Sequence, residues 1–454
     1  MEKKTIAQDQ IRDRFSKAMS RMYQQEVPQY GTLLEIVKET NAHYLSQNPA
    51  TFATEEQSLA LNRLDVERHG AIRLGSAREL TTMKDLFAVM GMSAVGYYDL
   101  SAAGVPVHST AFRPVSDAAL QINPFRVFTS LLRLELIDNL ELREKARQIL
   151  AAREIFSPRV RELIALSKKQ AGLDDAEANE FVIEALKTFR WHSEALVDLE
   201  TYTALLEHHR LIADVVCFKG PHINHLTPRT LDIDTVQHKM PDYGITPKEV
   251  IEGPPRRRVP ILLRQTSFKA LSEKITFIDS AQGKHTARFG EIEQRGLALT
   301  PQGRALYDKL LLEASSSNTA KDNDSHQRHF DAIFTAFPDE IEPLRCQGLG
   351  YFRYSLSAGA VIPQDQRAPE HLDALIEQGI VVVTPIIYED FLPVSAAGIF
   401  QSNLGTEKGH VSAGNPNKAA FESALGAAVI DEFSLYETIQ TQSINQLFEH
   451  DVRA

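Results

Sequence analysis

The sequence lacks the features that would place it at once in a common class of protein. Its 454 residues include two cysteines, Cys217 and Cys346, with neither a CxxC pair nor the Cys/His spacing of a zinc finger. This excludes a disulfide framework and a structural zinc site. P-loop, GxGxxG, HExxH and GxSxG motifs are also missing. The chemistry must therefore be sought in less familiar combinations of residues.

Basic clusters and long apolar runs are equally scarce. Acidic residues outnumber basic ones by 60 to 49, the net charge is −11, and the longest basic block is Arg256-Arg257-Arg258. Such a chain has no broad cationic face for a phosphate backbone. The run from Leu86 to Tyr98 falls short of the ~20 residues that span a bilayer, and the charged N-terminus lacks the apolar core of a secretory signal. We therefore expect a soluble, cytoplasmic protein with neither a nucleic-acid nor a membrane partner.

Hydrophobic residues make up 43% of the chain, enough for a large packed core. An apolar stripe predicts helix over the first 45 residues, and a second helical region is predicted from Asp117 to Arg153. Ala213 to Phe218 and Arg288 to Gln294 are typical of strands. Because helices and strands do not alternate regularly, the fold class is predicted to be α+β. The polar segment from Ala314 to Arg328 predicts an exposed loop.

The first segment with a distinctive composition runs from Val66 to Gly75 and contains His69 and Arg73. Residues four apart share a face in either regular structure, about 5–6 Å apart on a helix and roughly 13 Å apart on a strand. One side chain could then hold a metal and the other an anion. A surface histidine beside a solvated arginine fits the spacing equally well.

The second segment, from Lys219 to Arg229, contains His222 and His225. Two histidines three apart could share a metal on a helix, but Pro221 and Pro228 bracket the segment. In an extended chain, positions three apart point to opposite faces. At most one of the two histidines would then reach a site, and a pair of ordinary loop histidines is an equally good interpretation.

The third segment, from Arg288 to Gly296, carries Glu291, Glu293 and Arg295 on one face if it is a strand. Such a row is often just the solvated side of a sheet, and the alternation cannot choose between the two glutamates. One carboxylate and two neutral imidazoles from distant segments would form the facial triad that leaves three positions open on Fe(II). Many other His/Glu triples could be drawn from this chain.

Five strings, taken in order, resemble one known family over nearly the whole chain. It is the 2-oxoadipate dioxygenase/decarboxylase family, also called hydroxyglutarate synthases. The strings are Glu67-Arg68-His69-Gly70-Ala71-Ile72-Arg73, His222-Ile223-Asn224-His225-Leu226-Thr227-Pro228-Arg229, Arg264-Gln265-Thr266-Ser267-Phe268-Lys269-Ala270-Leu271, Phe289-Gly290-Glu291-Ile292-Glu293-Gln294-Arg295-Gly296 and Leu392-Pro393-Val394-Ser395-Ala396-Ala397-Gly398.

The resemblance implies a curved sheet around one Fe(II), like that of the vicinal oxygen chelate enzymes and related in architecture to hydroxyphenylpyruvate dioxygenase. The family's metal ligands match His69, His225 and Glu293. Its arginine for the substrate carboxylate matches Arg73, and a further substrate contact matches Val394 and Ser395. Because the three ligands must converge, the resemblance implies a single integrated catalytic unit over residues 1–454.

The implied reaction converts 2-oxoadipate and O2 into 2-hydroxyglutarate and CO2. A 2-oxo acid can chelate the metal, and Arg73 suits the distal carboxylate because its guanidinium is planar and always charged. Two alternatives stay open. One is a metal-dependent isomerase or lyase on the same scaffold, and the other is a non-catalytic protein that binds a dicarboxylate.

Overall fold

The computed structural model describes residues 5–49, 61, 63–317, 322–392 and 416–449. The chain forms two compact units. One comprises Met1–Lys248, Gln265–Glu293 and Phe391–Ile430, and the other comprises Glu249–Arg264, Gln294–Asp390 and Asp431–Ala454. His69, Arg73, His225 and Glu293 all belong to the first unit. That residues 1–454 act as one integrated catalytic unit stays a prediction.

Helices and strands are mixed along the chain. The helices are α1 (Gln8–Glu26), α2 (Pro28–Gln47), α3 (Ala77–Val89), α4 (Asp117–Ile122), α5 (Leu140–Ala152), α6 (Pro158–Gln170), α7 (Asp175–Leu186), α8 (Leu199–His208), α9 (Arg210–Val216), α10 (Ile233–Lys239), α11 (Pro301–Ser316), α12 (Asn323–Phe334), α13 (Ile341–Cys346), α14 (Leu372–Glu377), α15 (Pro416–Leu425) and α16 (Glu432–Glu449). The strands are β1 (Arg68–Leu74), β2 (Ser93–Asp99), β3 (Val107–Arg113), β4 (Arg126–Leu132), β5 (His225–Pro228), β6 (Leu263–Ser267), β7 (Leu271–Thr276), β8 (Gln282–Arg295), β9 (Phe352–Leu356) and β10 (Val381–Pro385).

The main sheet has eight strands in the order β2-β3-β4-β1-β5-β8-β6, with β7 paired to β8. Strand β1 runs parallel to β4 and antiparallel to β5, and β5 runs parallel to β8. Strands β9 and β10 form a separate antiparallel pair. The predicted α+β class is confirmed, and the eight-stranded sheet is curved.

Local sequence explains why the helices begin where they do. Ile11, Phe15 and Met19 of the predicted N-terminal stripe are buried on α1. Asp174 caps α7 by accepting a hydrogen bond from the backbone N–H of Glu177 in a capping box. Among the described residues, no helix combines the length and the apolar character needed to cross a bilayer.

The prediction of continuous helix from Asp117 to Arg153 is wrong in its middle. Strand β4 occupies Arg126–Leu132, and all seven of its residues are buried. A strand that is buried on both faces has a nearly continuous apolar run instead of an alternating one. Its period therefore cannot be distinguished from that of a buried helix.

The reverse error affects Ala213 to Phe218, which was predicted as a strand. Residues Arg210–Val216 form helix α9, and the side chain of His209 caps it by accepting from the N–H of Leu211. The short apolar run gives no helical period because Leu211 through Val216 are all buried. This error matters for the site, because α9 carries Asp214.

The segment from Ala314 to Arg328 is exposed or half-buried at most of its described residues, as predicted, but the prediction of a loop is wrong over most of its length. Helix α11 continues to Ser316 and α12 begins at Asn323, capped by Asp322, while residues 318–321 lie outside the described part of the chain. Ala314 and His326 are buried. Asp and Ser residues that looked like loop composition instead lie at the start of a helix, where their side chains accept backbone N–H groups.

Candidate metal centre

Three adjacent strands bring the candidate ligands to one face of the main sheet. His69 on β1 pairs with Thr227 on β5, and His225 lies two residues before Thr227. On β8, Phe289 is the partner of His225, and Glu293 forms a bridge with Arg229. Because side chains two apart on a strand point the same way, His69, His225 and the β8 glutamates share a face.

Glycines allow these strands to approach closely. A Cβ atom on Gly70, directly after His69, would lie 2.5 Å from Cδ1 of Ile223 and 2.8 Å from the carbonyl oxygen of His225. A Cβ atom on Gly290, directly before Glu291, would lie 2.3 Å from a ring carbon of Phe268. Both positions therefore disfavour a side chain, which explains the glycines beside His69 and Glu291.

His69 lies between the two glutamates of β8. Its Nε2 atom is 3.2 Å from Oε1 of Glu291, and its Nδ1 atom is 3.0 Å from Oε2 of Glu293. All three side chains are fully buried. A neutral imidazole has one donor nitrogen and one lone-pair nitrogen. One of the two carboxylates therefore faces a lone pair, an arrangement that a cation would relieve.

A second histidine completes a cluster of metal-ligand type. Ligand atoms of His69, His225 and Glu291 all lie within 4.8 Å of one another. Both ring nitrogens of His225 and the Oε2 atom of Glu291 are buried and accept or donate no hydrogen bond within the described part of the chain. Buried polar atoms without partners are costly unless something else satisfies them. Two imidazoles and a carboxylate fit a divalent transition metal.

The pKa values of the two histidines shift in opposite directions. Burial, followed by the charges of His69 and Arg73, holds the pKa of His225 well below its usual range, so this ring is neutral as a metal ligand must be. Burial also tends to lower the pKa of His69, but Glu293 and Glu291 outweigh it and the pKa is raised. Burial raises the pKa of Glu291.

A buried group of arginines surrounds Glu67, two residues before His69. The Glu67 carboxylate accepts from NH2 of Arg126 at 2.8 Å, from NH1 of Arg229 at 3.0 Å, and from Nε and NH2 of Arg63 at 3.1 and 3.2 Å. Arg126 also lies 4.0 Å from Oε1 of Glu293. Arg126 therefore joins the group formed by Glu67 and its three arginines, which we call the Glu67 cluster, to the Glu293 carboxylate.

Arg73 lies at the other end of the same face of β1, and its partner is Asp214 of α9. NH1 of Arg73 donates to Oδ2 of Asp214 at 2.7 Å. The other oxygen, Oδ1, is 2.9 Å from Nε2 of His285 and 3.3 Å from Nε2 of His222. Burial alone would raise the pKa of Asp214, but His222 and Arg73 hold it well below its usual range.

Aromatic rings enclose the histidines. The ring of His225 stacks on Phe289 at 4.9 Å, and the ring of His69 meets Phe391 edge-on at 5.0 Å. Phe391 in turn contacts Phe128 of β4 at 5.3 Å. This apolar wall keeps the ligand atoms in a low-dielectric environment, which strengthens every electrostatic interaction within it.

The structure brings His69 and His225 together and places Glu293 beside His69, whereas Arg73 lies at the other end of the same face of β1. Val394 and Ser395 lie outside the described residues. The structure also groups Glu291 with the histidines by distance, although the sequence pattern left its role open. His222 points to Asp214 and Asn224, as the extended interpretation of that segment predicts. The pattern gave no sign of Asp214 or His285. Gln265 donates to Glu291 at 2.6 Å and belongs to one of the matching strings, but the string did not indicate this role.

Fold and site together define a protein with a buried two-histidine, carboxylate centre on a curved sheet, and comparison with known proteins gives its family. A family model described as 2-oxoadipate dioxygenase/decarboxylase matches residues 15–403. The chain is 60% identical over 445 residues to the 2-oxoadipate dioxygenase/decarboxylase of Escherichia coli K12, covering 97% of this chain and 98% of the relative. It is 56% identical over 446 residues to the protein of the same name from Pseudomonas putida, covering 97% and 96%.

A solved structure extends the comparison to three dimensions. The hydroxyglutarate synthase of Pseudomonas putida, crystallised in complex with 2-oxoadipate, superposes with a TM-score of 0.88 at 54% identity and covers 98% of both chains. The chain therefore belongs to the 2-oxoadipate dioxygenase/decarboxylase family, and it is an enzyme of this kind.

Proposed function

We propose that this enzyme binds Fe(II) and converts 2-oxoadipate and O2 into 2-hydroxyglutarate and CO2. The observation that carries the proposal is the buried cluster of His69, His225 and a β8 carboxylate, with Arg73 on the same face of β1. The six carbons of 2-oxoadipate minus one lost as CO2 give the five-carbon product, and the two atoms of O2 balance the reaction. A relative of 54% identity that was crystallised with 2-oxoadipate supports the choice of substrate.

His69, His225 and Glu293 are the proposed ligands, as the family match implies. Oε1 of Glu291 already accepts from Gln265 at 2.6 Å and faces Thr227 at 3.4 Å, and Nε2 of His69 is within reach of the same oxygen. If Nε2–H donates there, Nδ1 keeps its lone pair on the side of Glu293. This is the common arrangement in which a carboxylate fixes the tautomer of a ligating histidine. The short distances between donor atoms favour Glu291 as the alternative ligand.

Bound Fe(II) would supply the open coordination positions that a 2-oxo acid can chelate and the electrons that O2 activation requires. The protein's own residues then position the substrate and protect it. Arg73 holds the distal carboxylate with a planar, permanently charged guanidinium, so that the chain lies in a fixed pose beside the ligands. Phe289, Phe391 and Phe128 exclude water from the reacting end.

Removing one carboxylate at a time tests the ligand assignment. Glu293→Gln and Glu291→Gln have the same shape as the native side chains and serve as controls for each other. After anaerobic reconstitution with Fe(II), we expect Glu293→Gln to lose most of its iron and Glu291→Gln to retain it, as measured by elemental analysis. Iron retained in Glu293→Gln but lost from Glu291→Gln would reject Glu293 and assign the site to Glu291.

A further inference from the structure

The environment of Arg73 is built by residues that the proposed reaction does not otherwise use. Asp214 is buried on α9 and separated from Arg73 by 141 positions in the sequence, yet their side chains meet at 2.7 Å. The Arg73 and Asp214 side chains retain only 13% and 7% exposure. A hydrogen bond between two charged and desolvated groups holds its geometry far more firmly than a surface ion pair does.

The second carboxylate oxygen of Asp214, Oδ1, is also held by neighbouring side chains. Nε2 of His285 lies 2.9 Å from Oδ1, and Nδ1 of the same ring is 2.9 Å from the hydroxyl of Tyr202. His222 approaches the same Oδ1 at 3.3 Å. These contacts form a chain from Tyr202 through His285 and Asp214 to Arg73, which we call the Asp214 relay.

An aromatic residue packs against both histidines that contact Asp214. The ring of Trp191 is parallel to His285 at 6.3 Å and meets His222 edge-on at 4.7 Å. The guanidinium of Arg288 lies 5.1 Å from the same indole. The imidazoles are therefore held in orientation by packing as well as by hydrogen bonds, so the direction of the Asp214 carboxylate is set by several elements at once.

We propose that Asp214 is a positioning residue that orients the Arg73 guanidinium toward the distal carboxylate of the substrate, and so makes the enzyme selective for dicarboxylic 2-oxo acids. This inference rests on the proposed function, because it takes Arg73 as the group that binds the distal carboxylate. A flexible arginine would lose rotamer freedom on binding substrate, whereas one already held by Asp214 has lost it on folding. The relay fixes one N–H group of the Arg73 guanidinium. Because the guanidinium is planar and rigid, this also fixes the plane of the whole guanidinium.

In the opposite role, the Asp214 carboxylate would compete with the substrate for the Arg73 guanidinium, and the substrate would have to displace it. The two roles predict opposite changes when the carboxylate is replaced by an amide. Loss of a positioning group weakens binding of the dicarboxylic acid, whereas loss of a competitor tightens it. A purely structural role would weaken binding of all 2-oxo acids alike.

The test measures ligand affinity by calorimetry with the Fe(II) enzyme under nitrogen, where no turnover occurs. The ligands are 2-oxoadipate and 2-oxohexanoate, which has the same chain length but no distal carboxylate. For Asp214→Asn we expect the affinity for 2-oxoadipate to fall about tenfold, as expected for a disturbed charge-assisted contact, while that for 2-oxohexanoate changes less than about twofold. Tighter binding of 2-oxoadipate, or an equal loss for both acids, would overturn the proposal.

Two further variants keep the result interpretable. Asp99→Asn is the matched control. Asp99, the last residue of β2, pairs with Arg133, and the two side chains are 15% and 11% exposed, a degree similar to that of Asp214 and Arg73. Asp99→Asn should leave both affinities unchanged. His285→Ala keeps Asp214 but removes a partner, and it should show the same selective loss in weaker form if Asp214→Asn does not fold. A wild-type enzyme that binds both acids equally well would instead refute the role of Arg73 in the proposed function.

Discussion

The two ends of the ligand face of β1 carry buried carboxylates that are used in different ways. At the Glu67 end, one carboxylate is surrounded by three guanidinium groups. At the Arg73 end, the carboxylate of Asp214 meets one guanidinium and two imidazoles. The first arrangement places three guanidinium groups beside the proposed metal ligands, and the second pairs one guanidinium with one carboxylate. The first network therefore surrounds a carboxylate with positive charge, whereas the second is proposed to orient a single guanidinium.

The largest effect is expected from the residues between these two networks. His225→Ala should remove most of the bound iron and most of the activity, because its buried nitrogens have no hydrogen-bond partner among the described residues and are the natural metal ligands. His69→Ala should do the same. The matched control for iron content is His222→Ala, whose native ring points to Asp214 and not to the cluster. Stoichiometric iron in His69→Ala and His225→Ala, measured by elemental analysis, would reject the ligand assignment.

The next largest effect should appear at the Glu67 end as a loss of stability. Glu67→Gln leaves Arg63, Arg126 and Arg229 buried around a neutral amide, which should cost about 3–5 kcal/mol in the free energy of unfolding. Denaturant titration of the iron-free protein measures it. Asp214→Asn should cost clearly less, since it leaves one buried guanidinium and not three. Equal losses for the two variants would erase the distinction between the networks.

The effect of Arg73 should be on selectivity. Arg73→Ala should keep its iron but reduce kcat/KM for 2-oxoadipate by about 10- to 150-fold, the equivalent of about 1.5–3 kcal/mol for a charge-assisted contact. Arg73→Lys should recover only part of this loss because a point charge cannot replace a planar fork. The monocarboxylic 2-oxohexanoate should be a poor substrate of the wild type and should lose little more. Equal fractional losses on both substrates would give Arg73 a structural role.

The smallest effect should come from the far end of the Asp214 relay. Tyr202→Phe removes only the hydroxyl that lies 2.9 Å from His285. One neutral hydrogen bond corresponds to about 0.5–1.5 kcal/mol of stability. We expect a small decrease in the unfolding midpoint and less than about a threefold change in the 2-oxoadipate to 2-oxohexanoate preference. A change in preference as large as that of Asp214→Asn would mean that the hydroxyl itself orients the relay.

Local patterns predicted which residues share the face of β1 better than which carboxylate completes the site. The four-residue spacing of His69 and Arg73 predicts a shared face in either a helix or a strand, and both residues lie on strand β1. The same alternation could not separate Glu291 from Glu293, because both point to the same side of β8 and only three-dimensional distances distinguish them. The family resemblance, and not the spacing, selected Glu293.

Partners that come from distant elements left no trace in the sequence. Asp214 meets Arg73 only because α9 packs beside the sheet. The apolar run around Asp214 predicts a strand because it shows no helical period, and it shows none because every residue from Leu211 to Val216 is buried. The three arginines around Glu67 come from three separate segments. Such contacts are decided by tertiary packing, which local period and composition do not encode.

The proposed Fe(II) centre should couple O2 consumption to decarboxylation of a dicarboxylic 2-oxo acid. The most direct test reconstitutes the protein anaerobically with Fe(II), adds 2-oxoadipate, and then admits air while O2, CO2 and organic products are measured together. We predict one O2 consumed and one CO2 released for each 2-hydroxyglutarate formed, with no turnover by the Zn(II) protein. Product formation under nitrogen, or full activity with Zn(II), would contradict the account and favour a metal-dependent isomerase or lyase.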